Sequence, residues 1–129
     1  MEKELVPKEQ SLDLKELGFD EPCLFAYNQD DENKLMTAPQ LSSYQINTGK
    51  NSDIGKINKV TSPTFSQAFR FFREKYNLLS RISYKNDRYK FEYQYKSSAN
   101  NLYMTKYSTY EEAELECLKK LIEIVKDSK

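Results

Sequence analysis

The C-terminal helix is the feature that most constrains the fold of this chain. Thr109 and Glu112 stand at capping-box spacing, in which each side chain satisfies a backbone donor at the start of a helix. Apolar residues then recur at steps of three and four, namely Ala113, Cys117, Leu118, Leu121, Ile122 and Val125. Because such a stripe has to be buried, the sequence predicts a helix over about 109–126 that covers another apolar surface.

The segment before this helix predicts a sheet that provides the apolar surface. Asn86-Asp87 is a two-residue turn between 80–85 and 88–96, which indicates a β-hairpin, and 102–107 reads as a third strand. One face of the second strand is aromatic, with Tyr89, Phe91, Tyr93 and Tyr95. The other face is polar, with Arg88, Lys90, Glu92, Gln94 and Lys96. We predict that the aromatic face is core and that the polar face meets solvent.

A second amphipathic helix is predicted just before the hairpin. Ser62 suits the N-cap and Pro63 the first helical position, and Asn77 suits a left-handed C-terminal cap. Between them, apolar residues share one helical face: Phe65, Ala68, Phe69, Phe72 and Tyr76. The second half therefore runs α-β-β-β-α. The predicted fold class is α+β, a small antiparallel sheet with two helices on one face.

The first half carries weaker patterns. Ser11 predicts a cap for a short helix over 12–17 that Gly18 ends. The run 23–27 reads as a buried strand with 34–37 as its return strand, and it either joins the main sheet or pairs with its neighbour alone.

Domain organisation follows from length and from two polar segments. At 129 residues the chain suits one domain, which we place at 11–129. Residues 1–10 are charged and lack periodicity, so they are expected to be a frayed leader. Residues 47–58 are rich in Asn, Ser, Lys and Gly, which predicts a mobile loop.

Composition argues against most enzyme classes. The chain has no histidine, which removes the commonest general base and the commonest metal ligand. Its two cysteines, Cys23 and Cys117, are far apart and lack zinc-site spacing. No glycine-rich phosphate loop is present. We therefore expect no catalytic site, no metal and no cofactor. The N-terminus lacks a signal sequence and no apolar run reaches membrane-spanning length, which favours the cytoplasm and no membrane contact.

Charge is balanced overall but divided along the chain. The 20 basic and 20 acidic residues cancel, yet residues 1–34 carry 4 − 10 = −6 and residues 69–107 carry 9 − 3 = +6. The basic residues of the predicted sheet are candidate contacts for a partner or a nucleic acid: Arg81, Lys85, Arg88, Lys90 and Lys96. A three-stranded sheet of this kind can lie in a DNA major groove, where such residues meet phosphates and base edges. An ordinary solvated sheet face is the simpler interpretation.

The α-β-β-β-α order is also that of double-stranded RNA-binding domains. Those domains place lysines at the start of the last helix, where they meet phosphates. This chain has Glu111, Glu112 and Glu114 there, and carboxylates repel phosphates. The sequence therefore argues against RNA binding of that type.

Three stretches of the sequence carry a resemblance. They are LGFDEPC at 17–23, QAFRFFREKY at 67–76 and YEEAELECLKKLI at 110–122. Together they resemble a set of small proteins from gut bacteria and their phages or prophages, for which no activity is established. The resemblance implies a non-enzymatic accessory protein that acts through protein–protein contacts, with an unidentified protein or a second copy as its partner. The alternative is nucleic-acid binding through the basic face of the 80–107 sheet.

Overall fold

The computed structural model describes residues 4–28, 35–37, 50–54, 59–95 and 102–128. It confirms the α+β class. The chain forms two compact units, residues 1–64 and 65–129, where the sequence predicted one domain over 11–129. Each unit contains its own three-stranded antiparallel sheet and its own buried apolar residues, so the two are described separately.

The first unit is built on a sheet whose strand order is β2-β1-β3. Strand β1 (Phe25–Asn28) lies in the centre, between β2 (Leu35–Thr37) and β3 (Lys59–Ser62). The predicted pairing of β1 with a return strand is thus confirmed, and β1 stands outside the 78–107 sheet. The sequence did not predict β3, since no apolar periodicity marks it. Apolar residues buried in this unit include Val6, Leu14, Phe19, Ala26 and Val60.

The predicted frayed leader is wrong for residues 4–10. Leu5 forms an isolated bridge with Thr64, and the Val6 N–H donates to the Pro63 carbonyl at 2.8 Å. Both Leu5 and Val6 are buried, so this segment contributes apolar side chains to the core of the first unit. Pro7 then stands at the N-cap of helix α1 (Lys8–Glu16), where its missing N–H has no cost.

Helix α1 therefore begins before Ser11, the predicted cap. Ser11 lies inside the helix, and its hydroxyl donates to the Val6 carbonyl at 3.2 Å. The Ser62 hydroxyl donates to the same carbonyl at 2.8 Å. The end of the helix is as predicted, with Gly18 in the left-handed region at φ 98°.

The predicted mobile loop 47–58 contains a short helix, α2 (Asn51–Ile54). Asn51 is buried; its amide nitrogen donates to the Phe19 carbonyl at 2.9 Å, and its amide oxygen accepts the Thr61 N–H at 2.8 Å. One side chain thus links α2 to two distant segments because an amide donates and accepts at once. Residues 47–49 and 55–58 lie outside the described residues.

The second unit opens with helix α3 (Phe65–Lys75), two residues after the predicted start. Ser62 ends strand β3 rather than capping α3, because pairing with the segment at Leu5-Val6 keeps this stretch extended. Asn77 adopts the predicted left-handed conformation at φ 55°.

The sheet of the second unit has the order β4-β5-β6, with β4 (Leu78–Lys85), β5 (Arg88–Tyr95) and β6 (Leu102–Tyr107). Asn86 and Asp87 have φ of 54° and 61°, and two positive values mark the tight hairpin turn that the sequence predicts. The register of β5 against β6 shifts between Tyr89 and Lys90.

Helix α4 (Tyr110–Asp127) packs on this sheet and against α3. Thr109 is its N-cap, and its hydroxyl oxygen accepts the Glu112 N–H at 3.1 Å. The predicted apolar stripe is buried throughout: Ala113, Cys117, Leu118, Leu121, Ile122 and Val125. Among the helices in the described part of the chain, none has both the length and the apolar character needed to cross a bilayer.

Candidate partner-binding surface

One face of the β4-β5-β6 sheet carries the predicted basic residues. Side chains alternate along a strand, and the contact of Ser80 with Cys117 of α4 marks the helix-covered face. The opposite face, called here the charged face, comprises Leu79, Arg81, Ser83, Lys85, Arg88, Lys90, Glu92 and Gln94. The strand register places Arg81 opposite Glu92 and Lys85 opposite Arg88.

Glu92 organises the centre of the charged face. Its carboxylate accepts from Arg81 Nε at 2.8 Å and Nη2 at 3.3 Å, and Lys90 Nζ lies 3.5 Å from the same group. The hydrogen bond from Arg81 holds the pKa of the Glu92 carboxyl below its ordinary value, with the charge of Arg81 and the contact with Lys90 acting in the same direction. Two of the predicted contact residues are therefore paired within the protein.

A shallow depression of about 260 Å³ lies at this ion pair, lined by Leu79, Ser80, Arg81, Glu92, Tyr93 and Gln94. Its charged groups already satisfy one another, so it offers an incoming ligand little uncompensated charge.

The hairpin end of the sheet differs from its centre. Lys85 and Arg88 are both exposed and directly opposed across the strands. Within the described ranges, neither forms an ion pair. Asp87, in the turn, accepts a hydrogen bond from the Tyr84 hydroxyl at 3.1 Å. Two like charges therefore face each other beside one carboxylate, an arrangement that is destabilising in isolation.

Three tyrosines form a continuous row beside this hairpin end. Tyr84 and Tyr89 have ring centroids 4.8 Å apart, and Tyr89 meets Tyr110 edge-to-face at 6.1 Å. Tyr84 is 58% exposed and Tyr110 is 45% exposed, although both are large rings. We call Tyr84, Tyr89 and Tyr110 the tyrosine row.

The first turn of α4 borders the far end of the tyrosine row. Glu111 and Glu112 follow Tyr110 directly, and Glu114 lies one helical turn after it. Glu112 accepts hydrogen bonds from the hydroxyls of Ser108 and Thr109. Partial burial raises the pKa of Tyr110, with the charges of Glu114 and Glu111 acting in the same direction. Glu111 and Glu114 therefore place negative charge near the Tyr110 hydroxyl.

The structure places four predicted contact residues on one sheet face, where two are in ion pairs and two are not. Arg81 and Lys90 converge on Glu92, whereas Lys85 and Arg88 flank the turn. Lys96 lies outside the described residues.

The aromatic face predicted as core is core only in part. Phe91 is buried, Tyr89 and Tyr93 are half-buried, and Tyr95 is 40% exposed. No pattern in the sequence marks Tyr84 or Tyr110 as exposed. The contact of Tyr84 with Tyr89 could have been predicted from the two-residue turn. This turn fixes the strand register and so places Tyr84 opposite Tyr89.

Among the residues that the structure describes, the cysteines and acidic groups give no second site. Both thiols are buried and unpaired, and burial raises the pKa of Cys23 and of Cys117 to about 12. Such thiols stay protonated and are poor nucleophiles at neutral pH. In the part of the chain that the structure covers, Cys, Asp and Glu side chains form no group of three or more that could hold a metal ion.

Comparison with known proteins adds no relative. The chain matches no family model, and it matches no curated protein and no solved structure. What the protein does is therefore inferred from the geometry of the charged face and the tyrosine row.

Proposed function

We propose that this protein is a non-enzymatic binding protein of the cytoplasm that acts through protein–protein contacts, with the tyrosine row at the centre of its contact surface. The observation that carries the proposal is the exposure of two large rings, Tyr84 at 58% and Tyr110 at 45%, on either side of Tyr89. Isolated exposed rings are common, but adjacent exposed rings are typical of protein interfaces.

The surroundings of the row support this proposal. Interface centres are enriched in Tyr and Arg and are bordered by polar groups that exclude water. Here Asp87, which accepts a hydrogen bond from the Tyr84 hydroxyl, borders one end of the row, and Glu111 borders the other. A tyrosine also brings a large contact area at a small cost in side-chain entropy, since it has few rotatable bonds.

The chemistry of the chain supports a non-enzymatic role. The sequence has no histidine, and both cysteines are buried with a raised pKa. The charged groups that meet at the centre of the charged face are paired with one another. The resemblance of the three sequence stretches supports, in addition, an accessory role in a phage or prophage.

Site-specific photocrosslinking tests the proposal. A photoreactive phenylalanine replaces Tyr84, and in the control it replaces Glu123, which is exposed on α4. In cells that produce the protein, we expect a discrete adduct of higher mass from position 84 and none from position 123. Equal adducts from both positions, or none from position 84, would overturn the proposal.

Nucleic-acid binding through the charged face is the second candidate. The observation that favours it is the exposed pair of Lys85 and Arg88. The observation against it is Glu92, which holds Arg81 and Lys90 where base edges or phosphates need free donors.

Fluorescence anisotropy separates the two candidates. Labelled single- and double-stranded DNA and RNA are titrated at low salt with the natural protein, with the double variant K85E/R88E and with the control K119E/K120E. The two variants change the net charge equally. Salt-sensitive binding that K85E/R88E weakens at least about tenfold, and the control does not, would establish nucleic-acid binding. Under the leading proposal we expect no such binding.

A further inference from the structure

The tyrosine row and the charged face lie on opposite sides of the second sheet. Tyr84 and Tyr89 are directly opposed across the hairpin, on the face that α4 covers. Lys85 and Arg88 alternate with these tyrosines along the strands, so their side chains belong to the charged face. Tyr110 is the first residue of α4 and completes the row at the start of the helix. The groups that border the tyrosine row are therefore different from those of the charged face.

A carboxylate borders each end of the tyrosine row. The Asp87 carboxylate accepts a hydrogen bond from the Tyr84 hydroxyl at 3.1 Å. Glu111 is exposed beside Tyr110, and its charge, after partial burial and the charge of Glu114, contributes to the raised pKa of Tyr110. Within the described residues, neither Asp87 nor Glu111 forms an ion pair. Each end of the row thus presents negative charge without a salt-bridge partner in this part of the chain.

Exposed rings and carboxylates together favour a cationic partner. The face of a tyrosine ring has a negative electrostatic potential and attracts ammonium and guanidinium groups. An apolar partner would remove Asp87 and Glu111 from water without a counter-charge, and these carboxylates would repel an acidic partner. Because Tyr84 and Tyr110 are 58% and 45% exposed, a cation can reach both rings. The tyrosine row is therefore complementary in charge to a basic segment.

We infer that the tyrosine row binds an arginine-bearing segment of a partner protein. In this assignment, guanidinium groups lie against Tyr84 and Tyr110 and pair with Asp87 and Glu111. The inference rests on the proposed function, because it names the chemistry of the partner for the same surface.

The geometry of the row favours arginine over lysine. A guanidinium group is planar, so it stacks on a ring and donates two N–H groups to a neighbouring carboxylate, whereas an ammonium group is a compact point charge. The outer rings both contact Tyr89, with centroid distances of 4.8 Å and 6.1 Å. An extended segment advances by about 3.3 Å per residue, so two arginines separated by one or two residues reach both ends. Salt should weaken the contact, since its charged groups lie at the surface.

Peptides of fixed composition provide the test. Fluorescence anisotropy is measured at low salt with three labelled hexapeptides that alternate glycine with arginine, with lysine or with glutamate. We expect the arginine peptide to bind, the lysine peptide to bind at least about threefold more weakly, and the glutamate peptide not to bind. No binding of the arginine peptide, or equal binding of any two of the three, would contradict the inference.

Matched variants locate the binding. Tyr84→Ala and Glu111→Lys should each weaken binding of the arginine peptide at least about threefold, whereas Tyr84→Phe, which keeps the ring, should not. The controls are Tyr95→Ala, which removes a 40% exposed ring at the other end of β5, and Glu123→Lys, which makes the same change of charge elsewhere on α4. Circular dichroism verifies that each variant keeps its helix content. Equal losses in the variants and their controls would place the binding elsewhere and refute the assignment.

Failure of this inference is distinct from failure of the proposed function. If the arginine peptide does not bind but position 84 photocrosslinks to a foreign protein, the partner has a different chemistry and the proposed function stands. An adduct of twice the mass of the chain would assign the tyrosine row to a second copy and would also overturn the inference. If the peptide does not bind and position 84 gives no adduct, both fail.

Discussion

At the scale of the residue, Glu92 determines how much unpaired positive charge the charged face presents to a partner. The sequence places five basic residues on or near one sheet face, which reads as a phosphate-binding surface. The structure shows Glu92 between Arg81 and Lys90, with 13% of its side chain exposed. One carboxylate in a central strand therefore contacts two cations at the middle of the face, and of the four predicted basic residues that the structure describes, Lys85 and Arg88 at the hairpin end are the two outside ion pairs.

Replacing Glu92 by Gln should lower stability slightly at neutral pH. Arg81 and Lys90 would then lose their counter-charge, and we expect Tm to fall by about 2 °C, as for other surface ion pairs. The folded-state pKa of Glu92 is lowered, so its contribution is present above the ordinary value of 4.5 and is lost as the pH falls through the lowered pKa.

Thermal unfolding of the natural protein and the Glu92→Gln variant across pH measures this effect. The difference in Tm should be full at neutral pH and should close in acid. A difference that persists unchanged in acid would show that Glu92 acts through its shape rather than its charge. Glu123→Gln is the control, because it removes a longer and more exposed ion pair, with Lys120 on α4.

At the scale of the element, the buried side chain of Asn51 links α2 to the rest of the first unit. Asn51 donates to the Phe19 carbonyl and accepts from the Thr61 N–H, so it joins α2, β3 and the segment after α1. The Ser52 N–H donates to the Asp20 carboxylate at 2.7 Å and adds a second link to that segment. A four-residue helix has too few internal hydrogen bonds to persist without such links.

Replacing Asn51 by Ala should destabilise the protein by about 2–3 kcal/mol, because two buried backbone groups lose their partners. Asn51→Asp should cost at least as much, since a carboxylate cannot donate to the Phe19 carbonyl. Urea unfolding measures both changes. Ser52→Ala keeps the backbone donor and is the matched control. Equal loss in the Ser52 and Asn51 variants would contradict the assigned role.

The N-cap of α4 is a second feature of this scale that contributes to the free energy of unfolding. Thr109 accepts the Glu112 N–H, so it satisfies one of the donors left free at the start of the helix. We expect Thr109→Ala to lower the free energy of unfolding by about 1 kcal/mol and Thr109→Ser to retain most of it. Chemical denaturation distinguishes the two. Comparable losses in both variants would place the effect in the threonine methyl group instead.

At the scale of the whole molecule, the two units differ in how far the sequence predicts them. In the second unit, α3, the hairpin and α4 were predicted nearly to their ends. Their signals are local: a capping box, a two-residue turn and helical or strand periodicity. The elements that carry the apolar faces are also long, with eight residues in β4, eight in β5 and 18 in α4.

The first unit depends on contacts between residues far apart in sequence. Leu5 pairs with Thr64, Asn51 bonds Phe19 and Ser62 bonds Val6. Strand β3 has four residues, too few for a period-two pattern to be distinguished from its polar surroundings. Single-sequence patterns carry no record of such pairings, so the ordered residues 4–10 and β3 were missed.

The candidate surface was predicted in part for the same reason. Alternation identified which residues share the charged face, and this was correct for the four that are described. Whether a cation is free or paired depends on cross-strand register, which brings Arg81 opposite Glu92. The exposure of Tyr84 and Tyr110 depends on where α4 begins relative to the hairpin end, a tertiary property.

The two buried thiols can report local opening of each unit separately, because Cys23 belongs to the first unit and Cys117 to the second. A thiol with pKa of about 12 in a closed interior reacts with a disulfide reagent only when its surroundings open. The labelling rate of each thiol therefore gives the free energy of opening for its unit. No cysteine has to be introduced for this measurement.

Leu118→Ala should change one rate far more than the other. Leu118 is fully buried on α4, whose main packing partners are α3, β4, β5 and β6. A core truncation of this kind costs about 2–5 kcal/mol, which corresponds to an acceleration of Cys117 labelling of roughly 30-fold or more. Mass spectrometry of the labelled protein follows both sites together. If the labelling rate of Cys23 rose by the same factor, the two units would unfold cooperatively. The boundary at residue 64 would then separate two compact units that do not differ in opening free energy.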